Sequence, residues 1–184
     1  MEILETLSFI GNISNNGNIT WGVGGSLLLR FHQLIDKPND IDILVDLDHT
    51  TQMNQILSLI GTEKEVIRTE PFRTKYFNKF HINYIDLDIM GGFAIEHQEG
   101  NYQLSFTQQS IVEHKQVNGV DIPLCTLEDW YIFYWLIPGK KEKAVLIENY
   151  FKATGIKHPS VFEEGLKQPL PADLKYKIMH LLKK

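Results

Sequence analysis

Asp40 and Asp42 flank a single isoleucine, and the alternation of acids with aliphatics runs from Asp40 through Asp48. In an extended strand this spacing sets both carboxylates on one face, about 6.6 Å apart given a rise of roughly 3.3 Å per residue. Ile41, Ile43 and Val45 then fill the other face. Carboxylates held this close repel unless a cation lies between them, and Mg²⁺ is the hard ion that carboxylates and substrate phosphates commonly share. A solvated strand face is the competing reading, because Asp46 and Asp48 continue the same pattern. An EF-hand calcium loop is excluded: its sixth position must be a sharply turning glycine, and counting from Asp40 that position is Val45.

Upstream, Gly24-Gly25-Ser26 lies between a β-prone run, Ile19 to Val23, and an amphipathic stretch, Ser26 to Ile35. Bare glycine backbone and a helix start can take up triphosphate oxygens, and Ser26 adds a hydroxyl donor. A plain tight turn is the alternative. Two familiar phosphate loops fail here, since the final glycine of the dinucleotide fingerprint is missing and no Gly-Lys-Ser/Thr occurs. A third acid is needed if one metal activates a hydroxyl while another holds the triphosphate. Ile82 to Met90 read as one strand puts Tyr84, Asp86 and Asp88 on a common face, so both acids are candidates. Arg30, one turn after Ser26, is read as a solvated charge, and Tyr131, Phe133, Tyr134 and Trp135 as core rather than base-stacking residues.

The elements that must position these groups follow from periodicity and turn chemistry. Ile3, Leu4, Leu7 and Ile10 predict a first helix ending near Gly11, with Gly11 to Asn18 as loop. Asp40 to Asp48 is read as a strand, Met53 to Ile60 as a helix ending at Gly61, and Val66 to Val117 as a β-rich middle. Asn118-Gly119 signals a hairpin turn. Thr126 is the expected N-cap of a helix over Leu127 to Leu136, followed by helices from Lys141 to Ala153 and after Pro171.

Taken in order, Val23-Gly24-Gly25-Ser26, a helix, Asp40-Ile41-Asp42-Ile43 and a later strand acid resemble the nucleotidyltransferase superfamily built on the polymerase-β-like palm. Fourteen residues separate Gly25 from Asp40, similar to the antibiotic-modifying branch. The likeness is greatest to minimal bacterial members such as the lincosamide and aminoglycoside nucleotidyltransferases, whose third acid sits in an element like Leu87-Asp88-Ile89-Met90-Gly91-Gly92-Phe93. The resemblance spans roughly Trp21 to Phe151, and includes Leu127-Glu128-Asp129 ahead of a basic turn, here Gly139-Lys140-Lys141-Glu142-Lys143 in place of Arg-x-Lys-Asp. That block implies a phosphate role for Lys140.

The resemblance implies an α+β fold, a mixed sheet with helices packed on it and a short C-terminal helical region, with residues 1–154 as the nucleotidyltransferase domain and 155–184 as its helical extension. It implies transfer of a nucleoside monophosphate from a nucleoside triphosphate to an acceptor hydroxyl, with release of pyrophosphate. Asp40, Asp42 and Asp88 would bind Mg²⁺ or Mn²⁺ and carry catalysis, Asp86 being the rival third acid. Gly24, Gly25 and Ser26 would bind the nucleotide. A non-catalytic nucleotide-binding module and a toxin–antitoxin type enzyme acting on protein or RNA are the alternatives.

Composition narrows the partners. At 184 residues with 43% hydrophobic and 22% charged residues, the chain fits one folded domain. A net charge of −5 and no Lys/Arg run longer than two argue against a general nucleic-acid binder and favour a small-molecule or protein acceptor. Cys125 is the single cysteine, so no internal disulfide forms, and the seven histidines show no zinc spacing. With two acids and no basic region in Met1 to Ile10, and no apolar run of about 18 residues, a cytoplasmic location without membrane insertion is expected. The short length leaves room for a homodimer to enclose the acceptor.

Overall fold

The structure, a computed structural model, describes residues 3–183. Its centre is a mixed seven-stranded sheet in the order β3-β4-β5-β2-β1-β9-β8, from β1 (Trp21–Val23), β2 (Ile41–Val45), β3 (Thr62–Lys64), β4 (Tyr76–Ile82), β5 (Ile85–Gly91), β8 (Glu113–Val117) and β9 (Val120–Leu124). The pairs β2/β5 and β1/β9 are parallel and the others antiparallel. A separate hairpin joins β6 (Ala94–His97) to β7 (Gly100–Gln103). Helices α1 (Ile3–Asn16), α2 (Gly25–Phe31) and α3 (Thr50–Ile60) pack on β9, β2 and β4 respectively. The remaining helices, α4 (Leu127–Leu136), α5 (Lys141–Thr154), α6 (Pro159–Leu166) and α7 (Ala172–Leu182), pack on one another. No helix among the described residues is long and apolar enough to cross a membrane.

Several elements follow their local signals. Helix α4 is apolar nearly all round, the pattern of a helix buried on every side, and Leu127 through Tyr134 are buried. The Thr126 hydroxyl accepts from the Asp129 N–H and donates to the Asp129 carboxylate, closing the N-terminus as an N-cap should. Glu128, also buried, accepts from the backbone N–H groups of Lys157 and His158 and so holds the segment that starts α6. Phe162 of α6 packs edge-on against Tyr131 and Phe151, which joins the last two helices to the core of α4 and α5. The hairpin turn between β8 and β9 falls at Asn118-Gly119, both with positive φ.

Other expectations are corrected. The first helix does not stop near Gly11 but continues to Asn16. Gly11 is a packing glycine rather than a terminator: a methyl group there would come within 2.5 Å of the Ile122 side chain on β9. Asn15, expected in a loop, is kept helical by bonds from its side chain to Asp121 and Trp21. Strand β2 ends at Val45, and Asp46 accepts from the Asp48 N–H to cap a 3₁₀ turn over Leu47–His49, so neither acid extends the Asp40/Asp42 face. Ile82 to Met90 is not one strand: Asn83 and Tyr84 adopt positive φ and turn β4 into β5. Helix α2 is shorter than its periodicity, ending where Gln33 takes a positive φ. Most of 65–75 lies outside strands, and α6 was not foreseen.

Burial drives the Asp129 pKa from the usual 3.8 up to about 6, opposed by the Thr126 hydroxyl bond. Between these values the folded chain holds a proton that the unfolded chain has released, so this contribution to stability is complete below pH 3.8 and is lost as pH rises through about 6. Asp129→Asn keeps an acceptor for Thr126 and is expected to be more stable than wild type by about 2 kcal/mol at pH 8, with no difference at pH 3.5. Denaturant melts at the two pH values check this; equal differences at both would contradict it.

Candidate active site

The acids of β2 and β5 meet across a parallel pair, in which Asp42 stands in register with Asp88. Asp40 lies just before β2, on the same side as Asp42 by the two-residue alternation. All three carboxylates line one cavity of about 440 Å³. Asp86 does not line it. Instead Asp86, exposed on the same face but nearer the β4/β5 turn, is bound by Lys64 at 2.6 Å and His81 at 2.7 Å, and these bonds pull its pKa down. Two acids that alternation alone cannot separate are thus distinguished by their neighbours.

The acids are held in different ways. Asp40 accepts from the Ser26 hydroxyl at 3.3 Å, and that hydroxyl itself accepts from the Asn39 N–H at 3.2 Å. Asp88 is paired with Lys79 at 3.0 Å, its cross-strand partner on β4. Burial raises the Asp88 pKa, with Lys79 opposing. Asp42 lies against the start of α2. Burial raises its pKa strongly, and the charges of Asp40 and Asp88 raise it further, with Lys143 and Lys79 giving partial relief.

The glycine pair makes this contact possible. Gly25 has φ +59°, and a methyl group there would overlap the Asp42 carboxylate outright. One on Gly24 would overlap the indole of Trp130. The Gly24 N–H donates to the Asp42 carbonyl at 2.9 Å, tying the start of α2 to β2. The first turn of α2 therefore abuts the Asp42 carboxylate, whereas Gly24, Gly25 and the buried Ser26 do not themselves line the cavity. Ser26 acts on the site through Asp40.

Lys140, given a phosphate role from the sequence, lines the cavity, and Lys143 and Trp130, which the sequence reading missed, line it too. Lys140 and Lys143 lie three residues apart at the start of α5, and both reach the cavity, while Lys141 turns away to cover the ring of Trp135 at 4.4 Å. Lys143 lies 5.2 Å from the centroid of the Tyr134 ring. Burial and the charge of Lys140 lower its pKa, while Asp42 and Asp40 raise it, so the lysine shares their local field. The hydroxyl of Tyr134 is sealed from solvent and has no hydrogen-bond partner among the described residues. Tyr134 and Trp130 are at once core residues of α4 and part of the cavity wall. Phe72, Phe77, Met90 and Phe93 also line the cavity, with Phe93 packed against Trp130 and Phe133 of α4.

The donor set fits a divalent cation of the Mg²⁺ or Mn²⁺ kind. It consists of carboxylate oxygens, and the mutual repulsion that burdens Asp42 is what a cation would relieve. Among the described residues no three His, Cys, Asp or Glu side chains form a ready-made metal cage. An ion here would complete its shell with water or phosphate oxygens, as Mg²⁺ commonly does.

Comparison with known proteins places this geometry. A family model described as aminoglycoside-2''-adenylyltransferase matches residues 6–149, most of the chain. Among solved structures, a nucleotidyltransferase from Thermotoga maritima aligns with a TM-score of 0.61 at 24% identity, over 82% of this chain and 92% of that one. ANT(2")-Ia, solved in complex with adenylyl-2"-tobramycin, aligns with a TM-score of 0.56 at 16% identity, over 82% and 90%. The lincosamide antibiotic adenylyltransferase LnuA, solved with lincomycin bound, aligns with 0.52 at 18%, over 78% and 95%. At these identities the structural likeness establishes the shared fold. Among curated proteins no sequence matches. The family match covers the glycine turn, β2, β5 and the start of α5, and the chain belongs to the aminoglycoside-2''-adenylyltransferase family: it is a nucleotidyltransferase of the polymerase-β-like fold.

Proposed function

We propose that the protein transfers the adenylyl group of ATP to a hydroxyl of a small acceptor, in a reaction dependent on Mg²⁺ or Mn²⁺. The observation that supports this best is the gathering of Asp40, Asp42 and Asp88 on one cavity with Lys143 in their field. Asp40 and Asp42 would hold the cation, Asp40 being oriented by Ser26. The cation, when bound, supplies positive charge to the triphosphate oxygens. Gly25 and Ser26 are assigned to the triphosphate through the first-turn N–H groups of α2, which a helix leaves without intrahelical partners, and Gly24, whose own N–H is bound to the Asp42 carbonyl, places that turn beside the acids. Lys143 carries charge for the phosphates from the α5 side.

Asp88 takes the proton of the acceptor hydroxyl, whose oxygen forms a bond to the α-phosphorus in line with the departing pyrophosphate. Burial raises its proton affinity and Lys79 opposes the rise, and a raised affinity is the direction a general base needs. Helices α6 and α7, packed against α4, are read as an extension of the same domain.

Lys143→Ala is expected to weaken MgATP binding by about tenfold to a hundredfold, roughly 1.4 to 3 kcal/mol. Lys141→Ala, which loses only the contact with Trp135, should bind as wild type does. Calorimetric titration of both variants tests the assignment, and equal affinities for the two would remove Lys143 from the triphosphate site.

A further inference from the structure

Cations lie over the rings of two consecutive residues of α4, and only one of these arrangements faces the acids. Lys141 and Lys177 lie over Trp135 at 4.4 and 5.6 Å, and none of the three lines the cavity. The Lys143 ammonium lies over Tyr134 at 5.2 Å, and both of these residues line it. An aromatic face attracts an ammonium group within about 6 Å of its centroid. Lys143 also feels the charges of Asp42 and Asp40, yet among the described residues it forms no hydrogen bond or ion pair with them, unlike Lys79, which closes onto Asp88 at 3.0 Å. The ring that Lys143 meets is fixed in place. Tyr134 is buried, with its centroid 5.3 Å from that of Trp130, and Trp130 packs so closely on Gly24 that a methyl group there would overlap the indole. The Tyr134 hydroxyl makes no hydrogen bond among the described residues, so the ring face is the part of the side chain that engages the cavity.

We propose that Tyr134 is a positioning residue for the triphosphate: its ring face holds the Lys143 ammonium off Asp40 and Asp42, leaving those carboxylates to the divalent cation and the lysine charge to phosphate oxygens. The proposal rests on the nucleotidyl-transfer reading and deepens it. A lysine carries a compact charge on a flexible stem, and beside two carboxylates with no rival contact it would close onto them and compete with the metal. The ring supplies that rival contact with no hydrogen bond to break, so the ammonium is free to move to a phosphate oxygen when the triphosphate arrives. Lys140, one turn away on the same lining, repels Lys143, so the ring and not the neighbouring lysine sets its place.

The test is calorimetric titration of the full chain with MgATP along a series at position 134: Tyr134→Phe, then the same phenylalanine carrying one, two and three ring fluorines. Fluorine keeps the shape of the ring and drains negative charge from its face, so packing is retained while the hold on an ammonium weakens. Affinity is expected to fall stepwise along the series, by about threefold to tenfold in all, and the Mg²⁺ concentration needed for nucleotide binding is expected to rise with it. The same series built on Lys143→Ala, titrated at correspondingly higher concentrations, is expected to be flat in both readouts. Equal affinities along the series with Lys143 present would overturn the proposal and leave the ring as packing alone. An equal fall in the Lys143→Ala series would also overturn it, since the ring would then act on the nucleotide directly. Wild-type protein that binds no MgATP would sink the underlying reading, and the positioning role with it.

Discussion

Replacing Asp42 with Asn is expected to lower nucleotidyl transfer by at least about a thousandfold, roughly 4 kcal/mol of transition-state stabilisation, while making the nucleotide-free protein more stable. The two effects share one cause. The Asp42 carboxylate is held deep in the fold, against the first turn of α2 and close to two other acids, so its charge opposes folding until a cation or a cationic substrate complex balances it. Asn retains the shape and removes the charge. A gain of about 1 to 3 kcal/mol in the absence of nucleotide is expected, as is common where a strained active site is relaxed. Denaturant melts and pyrophosphate release, measured on the same preparations, check the pair of effects. A variant that loses stability together with activity would show that Asp42 is structural.

Gly25→Ala is expected to destabilise the fold by about 2 to 4 kcal/mol and to reduce kcat/KM by about a hundredfold or more. A side chain at φ +59° is strained in any surroundings, and here the added methyl also overlaps the Asp42 carboxylate. That carboxylate must move, and a displacement near 1 Å is enough to disturb a metal and phosphate geometry. Gly119→Ala provides the control: its φ is +79°, but nothing lies within 4 Å of the added methyl. It should cost about 1 kcal/mol and leave turnover intact. Similar losses of turnover in both variants would mean that the glycine at position 25 serves only its backbone angle.

Much of this site was legible in the sequence because its acids and glycines are close together along the chain. The two-residue spacing of Asp40 and Asp42 and the glycine turn before α2 belong to local geometry, as does the Thr126 cap of α4. The glycines were read as phosphate cradles, whereas their visible work is to let Asp42 and Trp130 close onto the backbone. That is a contact between distant segments, which local spacing does not encode. The choice between Asp86 and Asp88 was hidden for a similar reason. Both lie on one face of a strand, and the register of β5 against β2 and the side chains of Lys64 and His81 separate them. The turn at Asn83-Tyr84 lacks the glycine that usually marks a two-residue hairpin, so the pairing of Lys79 with Asp88 was not visible either. Lys143 carried a usable signal, its three-residue spacing from Lys140 on one helix. The apolar lining could not be read, since Phe72 and Phe77 come from an irregular stretch and from β4, which tertiary packing alone brings to the acids.

The most direct test of nucleotidyl transfer at this site is calorimetric titration of the full chain with ATP, GTP, CTP and UTP in the presence and absence of Mg²⁺ or Mn²⁺, with Asp40→Asn/Asp42→Asn in parallel. Metal-dependent binding of a triphosphate, ATP foremost, that is abolished in the folded double variant is the predicted result. Folded wild-type protein that binds no triphosphate, or a double variant that binds it as tightly with the metal still required, would contradict the account.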